Sequence, residues 1–587
     1  MRFLLNVLAT LVGLFLFFGL LFLLILSIGI AASTTESIQP ISENAVLRLD
    51  LNRPIEERTL DDPLSRLPGF ALADVPVGLI ELKQAIKAAK EDEKVKGIYL
   101  DAGLIAAGYA TIEEIRNALI DFKESGKFVI AYSEIFTEAG YYLASVAHEI
   151  YMTPDYGLFE LNGLSAGITF FKGTLDKLEI EPQIFRVGEF KSAIEPFTRQ
   201  QMSEENRLQT ASYVNSIYDT YLENVSSARN IPVDELRTIS DSMKVQSTDD
   251  AVTYKLITQL SYYDEVLVNI REKIGLEEEE KINFVSLSRY RKSLKPDKDG
   301  YSENRVAVVV ASGIIIGGEG DNDVIGSEKF AKEIRKARLD DKVKAVVLRI
   351  NSGGGSALAS DVIRREVALT SEVKPIIASM SDVAASGGYA IAMSCDTIVA
   401  HPNTLTGSIG VFLLSFNLQK FLDSKLGITV DRVNTGEFSD ILSLTKPATE
   451  QESMIIQRSV NEAYDHFITQ AAQDRDIPLE EMKKIAEGRV WSGIEAKNAN
   501  LVDVLGGLDD AIDIAVKSAD IEEDYRVRYY PEQKTWLEEL LSSWETDIKA
   551  HALKQQLGAF YPYVHYLKEL QQMQGVQARM PFEIVIE

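Results

Sequence analysis

The chain has 587 residues, of which 46 % are hydrophobic, and a formal net charge of −27 at pH 7. This length exceeds what one hydrophobic core usually supports, so we expect two or more domains. The acidic balance excludes a nucleic-acid-binding face and electrostatic docking on anionic lipid headgroups, because both need clustered basic residues. The single cysteine, Cys395, and five histidines without HExxH or CxxC spacing predict neither an intrachain disulfide nor a metal site, and no motif predicts a cofactor.

The first predicted element is a membrane anchor. Residues 3–35 carry no charge, and residues 3–32 are almost entirely apolar. A helix of about 20 apolar residues crosses a bilayer, whereas the apolar part of a secretory signal has about 7–15 residues. We therefore predict a retained transmembrane helix. Because Arg2 precedes the apolar run, the positive-inside rule places the rest of the chain outside the cytoplasm.

Strands and helices alternate in the chain that follows. This alternation predicts an α/β fold built from parallel strands with crossover helices. The predicted elements are a strand over 45–51, a proline-punctuated insertion over 54–76, an amphipathic helix over 79–90, and strands over 97–100 and 128–132.

The same pattern returns about 248 residues later. Gly436-Glu437-Phe438 repeats Gly188-Glu189-Phe190, and strands over 345–350 and 376–380 repeat those over 97–100 and 128–132. The offset between ordered matches drifts only from 260 to 246, which chance does not explain. A repeat this long indicates two duplicated domains rather than a solenoid of short units.

The repeat sets the predicted domain boundaries. We expect a membrane anchor over 1–36, a first repeat over 37–290, a linker over 291–304, a second repeat over 305–525 and a carboxy-terminal extension over 526–587.

A candidate nucleophile, Ser386, lies between the predicted strand over 376–380 and a helical run that begins near Tyr389. Small neighbours surround it in the sequence Ala-Ala-Ser-Gly-Gly. A hydroxyl near a helix amino terminus has free backbone N–H groups beside it, which stabilise developing negative charge. A structural turn with no catalytic role has the same composition, so this motif alone does not distinguish a catalytic serine from a structural one.

A serine nucleophile needs a base. His401 is the nearest histidine in sequence, at the end of a predicted strand. A buried lysine serves equally if burial lowers its pKa, and Lys191 lies in a motif of the first repeat. At the 248-residue offset Lys191 corresponds to Ser439, and Ser386 corresponds to Glu138. The first repeat therefore keeps the lysine and lacks the serine, and the second keeps the serine and lacks the lysine. This pattern indicates one Ser/Lys site per chain.

Two further glycine-containing turns follow predicted strands of the second repeat. The turn over 351–356 contains Gly354 and could offer backbone N–H groups to an oxyanion. It lacks the Gly-Lys-Ser/Thr ending of a phosphate-binding loop, which argues against nucleotide binding. The turn over 406–410 contains Ser408.

The combined motifs resemble those of a known family. Asn-Ser-x-Gly-Gly-Ser, Ala-Ala-Ser-Gly-Gly-Tyr and Asn-Thr-Leu-Thr-Gly-Ser-Ile-Gly, with an upstream Phe-Lys-Ser-Ala-x-Glu-Pro-Phe, are similar to the long, tandem-domain bacterial form of signal peptide peptidase A, also called protease IV. The resemblance covers almost the whole chain, including the anchor. It implies two tandem ClpP/crotonase-like domains after the transmembrane helix.

The resemblance also implies residue roles. Ser386 would be the nucleophile, Lys191 the general base, and Ser408 the residue that holds the lysine amine. Gly354 and Gly387 would supply oxyanion N–H groups. The family typically has proline where this chain has Gly353, which makes the turn less rigid although glycine permits the same dihedral angles.

The resemblance further implies a serine endopeptidase that degrades cleaved signal peptides and other hydrophobic peptides. It would be anchored in the bacterial inner membrane, with a periplasmic catalytic body assembled as a homotetramer. Two alternatives stay open: a catalytically inactive membrane scaffold of the same fold, and a crotonase-like acyl-CoA enzyme, which would need neither Ser386 nor Lys191.

Overall fold

The computed structural model describes residues 2, 6, 10–20, 41–58, 76–277, 279–294, 302–320, 324–532, 575–580 and 585–586. Most of the predicted anchor, of the insertion after Pro54 and of the carboxy-terminal extension lies outside the described residues, as does half of the predicted linker. Within the described ranges, no helix combines the length and the apolar character needed to cross a membrane.

The first repeat contains twelve strands and ten α-helices among the described residues. The strands are β1 (Ala45–Asp50), β2 (Ile55–Glu56), β3 (Val77–Gly78), β4 (Val95–Asp101), β5 (Phe128–Ser133), β6 (Ile135–Phe136), β7 (Glu149–Met152), β8 (Leu158–Phe159), β9 (Ala166–Gly167), β10 (Glu181–Arg186), β11 (Gln259–Leu260) and β12 (Asn283–Ser286). The helices are α1 (Leu79–Glu91), α2 (Tyr109–Lys123), α3 (Glu138–Ala144), α4 (Lys172–Leu178), α5 (Glu195–Thr198), α6 (Glu204–Arg229), α7 (Val233–Asp241), α8 (Thr248–Thr253), α9 (Tyr263–Ile274) and α10 (Leu287–Ser293). A 3₁₀ turn, Ser192–Ile194, precedes α5.

The second repeat follows the same order. Its strands, with two from the carboxy terminus, are β13 (Arg305–Ser312), β14 (Ile314–Ile316), β15 (Val324–Gly326), β16 (Val343–Ser352), β17 (Gly354–Ser356), β18 (Ile376–Ala385), β19 (Thr397–Ala400), β20 (Leu405–Gly407), β21 (Phe412–Asn417), β22 (Val490–Ser492), β23 (Val504–Leu505), β24 (Arg526–Tyr530), β25 (Gln577–Arg579) and β26 (Val585–Ile586). Its helices are α11 (Ser327–Leu339), α12 (Ala357–Ser371), α13 (Gly387–Ala392), α14 (Glu450–Asp474), α15 (Leu479–Ile485), α16 (Gly493–Asn498) and α17 (Leu508–Ser518), with a π-helical turn at Phe421–Lys425.

The two repeats share one parallel-sheet topology. The first has strand order β11-β7-β5-β4-β1-β12, and the second has β23-β19-β18-β16-β13-β24. Each pairing within these two series is parallel. The predicted α/β duplication is therefore present strand for strand.

The periodic apolar residues explain the cores. In α1, Leu82, Ile86 and Ala89 recur at helical spacing, and all three are buried against the first sheet. In α11, Ile334 and Ala337 occupy the matching positions and are buried in the second core. Each fully buried leucine or isoleucine contributes about 1.5–3 kcal/mol, so the apolar residues that recur in both repeats stabilise both sheets substantially.

A third sheet joins the two repeats. Its order is β10-β21-β25-β17-β14-β15. Strand β10 of the first repeat pairs antiparallel with β21 of the second, from Glu181 opposite Asn417 to Arg186 opposite Phe412. This pairing brings the segment after β10 to the second repeat.

Most predicted strands and helices differ from the structure by one or two residues at their ends. The largest difference is in the strand predicted over 376–380, which continues to Ala385, directly before Ser386, because Ala384 and Ala385 also pair with β20. Helix α10 continues to Ser293 and so overlaps the first residues of the predicted linker over 291–304.

Candidate active site

Ser386 lies at a sharp turn between β18 and α13. Its backbone has φ 56° and ψ −112°, a conformation that costs a residue other than glycine about 1–3 kcal/mol. Two hydrogen bonds hold this turn: the Ser386 N–H donates to the Gly407 carbonyl at 2.8 Å, and its own carbonyl accepts from Ala390 at 2.8 Å. The turn places the Ser386 hydroxyl between the end of β18 and the start of α13, at the junction of the two repeats.

Lys191 reaches this turn from the first repeat. It follows β10 by five residues, and the N–H of its neighbour Phe190 donates to the Glu487 carbonyl at 3.1 Å. A Cβ at Gly488 would lie 2.7 Å from both Cα and Cβ of Lys191, and one at Gly410 would lie 3.3 Å from its Cδ. Glycine at these two positions therefore makes room for the lysine stem, which is 0 % exposed.

The lysine amine contacts three oxygen atoms. Nζ lies 2.7 Å from Ser386 Oγ, 3.0 Å from Ser408 Oγ and 3.0 Å from the Ser408 carbonyl oxygen. A neutral amine has two N–H donors and one lone pair. With both donors on Ser408, the lone pair faces Ser386 and can accept its hydroxyl proton, which is the geometry that a general base requires.

The surroundings also favour the neutral amine. Burial lowers the pKa of Lys191 well below its ordinary value of 10.5. Desolvation has this effect because a low-dielectric environment penalises the ammonium form. The lowered pKa favours the neutral amine, which is the form that can accept a proton.

The glycine turns lie beside the serine. Gly354 has φ 96°, and its N–H donates to Ser352 Oγ at 3.1 Å. Gly387 is the first residue of α13, and a Cβ built on Gly354 would lie 2.6 Å from the Gly387 nitrogen. The two predicted oxyanion glycines are therefore adjacent, although the Gly354 N–H already has a partner within the turn.

His401, the other base that the sequence offered, belongs to a different cluster. Its Nδ1 lies 3.8 Å from Glu113 and its Nε2 lies 3.5 Å from Glu114, both on α2 of the first repeat. Glu114 also accepts a contact from Arg349 at 2.7 Å. His401 therefore lies in a buried cluster of charged side chains between the repeats, whereas Lys191 is the candidate base that contacts Ser386.

One supporting residue was not found from the sequence. Gln209 on α6 donates to the Phe190 carbonyl at 3.1 Å and to Ser192 Oγ at 2.9 Å, on either side of Lys191. Its amide oxygen accepts from the Val490 N–H of the second repeat at 3.0 Å. A glutamine within an amphipathic helix gives no local signal of this role, since its partners are distant in sequence.

The positions that correspond to the dyad in the other repeat have structural roles. Glu138 is buried, and its carboxylate accepts hydrogen bonds from the N–H groups of Asn162 and Gly163 at 3.2 Å and 2.8 Å. Ser439 donates its hydroxyl proton to the Gly436 carbonyl at 2.9 Å on an exposed turn. Glu138 thus satisfies the backbone donors of the turn at Asn162 and Gly163.

Several proteins are similar to this chain along most of its length. Protease 4 of Salmonella typhi is 37 % identical over 481 residues, which cover 80 % of this chain and 77 % of that protein. Protease 4 of Haemophilus influenzae is 34 % identical, with 87 % of this chain and 85 % of that protein covered. The chloroplastic serine protease SPPA of Arabidopsis thaliana is 34 % identical, with 86 % and 74 % covered.

Solved structures match shorter parts. A ClpP1 mutant from Listeria monocytogenes matches 35 % of this chain and 94 % of its own, with 16 % identity and a TM-score of 0.24. A membrane-bound stomatin-specific protease matches 38 % of this chain and 97 % of its own, with 15 % identity and a TM-score of 0.26.

The family comparison agrees with the duplication. The model of peptidase family S49 matches residues 121–277 and again residues 368–522, one stretch in each repeat. The two stretches together span more than half of the chain. This finding favours the peptidase prediction over the acyl-CoA enzyme that the sequence had left open. The chain belongs to peptidase family S49 and is a serine peptidase.

Proposed function

We propose that the chain hydrolyses peptides with a dyad in which Ser386 is the nucleophile and Lys191 is the general base. The observation that carries the proposal is the 2.7 Å contact between Lys191 Nζ and Ser386 Oγ in a fully buried site. Lys191 takes the hydroxyl proton as Oγ attacks the peptide carbonyl. It then gives that proton to the leaving amine, and Ser408 keeps the amine oriented throughout.

The substrate class follows from the space beside the serine. A cavity of about 410 Å³ opens next to α13, and its lining combines the apolar side chains of Leu358, Met393, Val411 and Phe467 with the ionisable ones of Asp361, Arg364 and His466. The apolar part of this lining accepts apolar side chains, because removing them from water is favourable. We therefore propose hydrophobic peptides as substrates, among them the signal peptides that remain after cleavage from secreted proteins.

The test is the variant Ser386→Ala. Loss of a covalent nucleophile should lower kcat by several orders of magnitude, up to about 10⁶-fold, while the fold is kept. Ser394→Ala is the matched control, because Ser394 lies shortly after α13 and donates its hydroxyl proton to Asp474. Turnover of an apolar reporter peptide and labelling by a serine-acylating probe measure both variants. A Ser386→Ala protein that keeps more than a tenth of normal turnover rules out this nucleophile.

We further propose that the chain acts as a homo-oligomer. In β10, Phe185 is 7 % exposed because the strand is covered by β21. Its counterpart 248 residues later is Val433, which is 99 % exposed. Ile194 is 5 % exposed, and its counterpart Leu442 is 43 % exposed. The second repeat thus leaves uncovered the apolar face that the first repeat buries.

A second copy of the chain can cover this face. The first-repeat counterpart of β21 is the segment 164–169, which contains β9. Segment 429–434 of one subunit could pair with this segment of the next, as β10 pairs with β21 within the chain. Contacts of this head-to-tail kind continue until a ring closes. The family resemblance supports four subunits.

Anchoring in a membrane completes the proposal. The uncharged stretch over 3–35 supports a single-pass anchor in a bacterial inner membrane, with the catalytic body on the periplasmic side. Carbonate extraction of membranes that contain the full chain tests the anchor. A protein with a spanning helix stays in the membrane pellet, whereas a peripherally bound protein is released into the supernatant.

A further inference from the structure

A short loop over 486–489, between α15 and β22, lies between the two parts of the site. On one side, the Glu487 carbonyl accepts the N–H of Phe190 from the first repeat at 3.1 Å. On the other side, the Arg489 carbonyl accepts the N–H of Ser408 at 2.7 Å. Ser408 has φ 50°, which a residue other than glycine rarely adopts, so this bond helps to hold its turn. The loop therefore contacts both the segment of the proposed base and the serine that holds its amine.

The side chain of Arg489 lies between two aromatic rings. Its guanidinium carbon is 5.3 Å from the centroid of the Phe190 ring and 3.9 Å from that of the Trp491 ring. A cation within about 6 Å of a ring centroid is attracted to the electron-rich face of the ring. The Nε atom of Arg489 is buried and has no hydrogen-bond partner within the described ranges, so ring contacts rather than a hydrogen bond hold this part of the guanidinium. We call Phe190, Arg489 and Trp491 the arginine stack.

The arginine stack connects the two residues of the dyad. At one end, Phe190 directly precedes Lys191. At the other end, Trp491 packs on Gly407, because a Cβ at Gly407 would lie 2.7 Å from Trp491 Cδ1. The Gly407 carbonyl in turn accepts the N–H of Ser386 at 2.8 Å. The stack thus spans the junction between the repeats, from the segment of the lysine to the turn of the serine.

We propose that Arg489 is a positioning residue for the peptidase reaction. Its side chain holds the Lys191 segment against the Ser386 turn, and this keeps Nζ 2.7 Å from Oγ in a buried site. The inference rests on the proposed function, in which Lys191 is the base. Arg489 itself transfers no proton, because its guanidinium stays protonated. A displacement of about 1 Å between reacting groups costs about 10²-fold in rate, so a loosened stack slows the chemical step.

Arg489→Met tests the stack, because methionine keeps a long side chain and removes the cation. We expect kcat to fall about 10–100-fold and KM to stay within about twofold, since the stack acts on the base rather than on the bound peptide. Arg489→Lys keeps a cation beside the rings and should retain at least about a third of the native kcat. An unchanged kcat in Arg489→Met, a change in KM alone, or equal losses in the two variants overturns the proposal.

Arg48→Met is the matched control. The Arg48 guanidinium also lies over an aromatic ring, 5.5 Å from the centroid of Tyr99, but on β1 and β4 of the first repeat. Its loss should leave kcat unchanged. A control that slows the enzyme as much as Arg489→Met overturns the proposal, because loss of any stacked arginine would then have the same effect.

A second pair of variants tests whether the ring and the cation act together. Phe190→Leu keeps an apolar side chain before Lys191 and removes the ring, so its kcat should fall as in Arg489→Met. Because both changes break the same contact, the kcat of the double variant should be within about twofold of that of the slower single variant. Losses that multiply in the double variant overturn the proposal, because they show independent effects.

The pH profile separates positioning from a general loss of folded protein. Burial lowers the pKa of Lys191, and a loosened stack admits water to it. The rise of kcat with pH should therefore shift to higher pH in Arg489→Met. Phe190→Leu keeps the charge of Arg489 and should show the same shift. A variant that is only less stable has lower turnover at every pH and an unshifted rise, and this result overturns the proposal.

The other charged groups at this place are the same in the variants and in the native chain. Arg186 donates to the Lys191 carbonyl at 3.3 Å, Glu495 attracts the Arg489 guanidinium, and Glu487 lies in the loop beside them. None of these charged side chains contacts the amine of Lys191 within the described part of the chain. A shift of the profile therefore reports the exposure of the lysine to water.

Lys191→Arg separates this inference from the proposed function. An active Lys191→Arg protein refutes the dyad and, with it, this role of Arg489. An inactive Lys191→Arg protein, together with a native kcat and pH profile in Arg489→Met, refutes the positioning role alone.

Discussion

Lys191 combines complete burial with contacts to neutral oxygen atoms, and its pKa therefore lies well below the ordinary value of 10.5. We expect turnover to rise with pH through the pKa of Lys191, because only the neutral amine accepts the Ser386 proton. Lys191→Arg should lose about 10²–10⁴-fold in turnover, since guanidinium stays protonated. Turnover measured from about pH 5 to pH 10 checks both statements.

The burial of Lys191 also lowers the stability of the folded chain, so Lys191→Met should raise the free energy of unfolding while it abolishes activity. In the unfolded chain the lysine binds a proton that the folded chain releases, so the free energy of unfolding rises with pH between the lowered pKa and 10.5. The methionine variant lacks this proton linkage. It should be inactive yet more stable than the native chain near neutral pH, by a margin that shrinks as pH approaches 10.5. Denaturant unfolding at two pH values measures the margin, and a less stable methionine variant contradicts it.

Some residues of this site could be predicted from the sequence, and others could not. Ser386 and Lys191 were found because the two repeats can be compared position by position and each has lost one partner. Gln209 and Gly488 escaped prediction, because their effect on Lys191 depends on contacts across the junction between repeats. A single sequence records spacing along the chain but does not record which distant loops meet.

At the scale of elements, a buried ionic cluster joins strand β16 of the second repeat to the first repeat. Arg349 on β16 is fully buried, with its Nε 2.8 Å from Glu57 and a terminal nitrogen 2.7 Å from Glu114 on α2. Burial alone would raise the pKa of Glu114, but Arg349 and Lys83 hold it well below its ordinary value. The Glu114 carboxylate is therefore charged, and Arg349 compensates part of that charge.

Removing that compensation should weaken the junction between the repeats. Arg349→Met removes the cation that contacts both Glu57 and Glu114, and it leaves Glu114 with Lys83 as a remaining partner. Breaking this buried cluster should lower the free energy of unfolding by about 3–5 kcal/mol. Arg458→Met is the control, because Arg458 forms an exposed pair with Glu462 on α14 and should cost less than about 1 kcal/mol. Denaturant titration of the two variants decides. A small effect at Arg349 that matches the control contradicts the structural role of the cluster.

Local sequence pattern predicted the helices and strands better than it predicted which strands pair with each other. Helix α1 lies where apolar periodicity predicted it, because it buries one face. Strands β4, β5 and β18 lie where short apolar runs predicted them, because they are buried on both faces. The third sheet was not predicted. Its strands come from both repeats and from the carboxy terminus, and their pairing depends on how the repeats dock rather than on any one segment.

At the scale of the whole molecule, the duplication leaves one junction inside the chain and its counterpart exposed. The inside junction pairs β10 with β21 and brings Lys191 to Ser386. The counterpart positions are Glu138 and Ser439, so the proposed ring of subunits would have one active site per chain. In that ring the second junction would serve assembly alone.

This arrangement predicts that a charge on the exposed face separates the subunits. Val433→Glu places a carboxylate on the segment that would pair with a neighbouring copy, and burying that unpaired charge should weaken association at least about 10-fold. Val373→Glu is the matched control, because Val373 is also exposed, at 63 %, but lies at the loop between α12 and β18. Analytical ultracentrifugation of detergent-solubilised protein should find smaller particles for Val433→Glu alone. A native chain that sediments as a fully active monomer contradicts the ring. If Val433→Glu both dissociates the protein and lowers its turnover, neighbouring subunits hold the β10–β21 junction in its catalytic geometry.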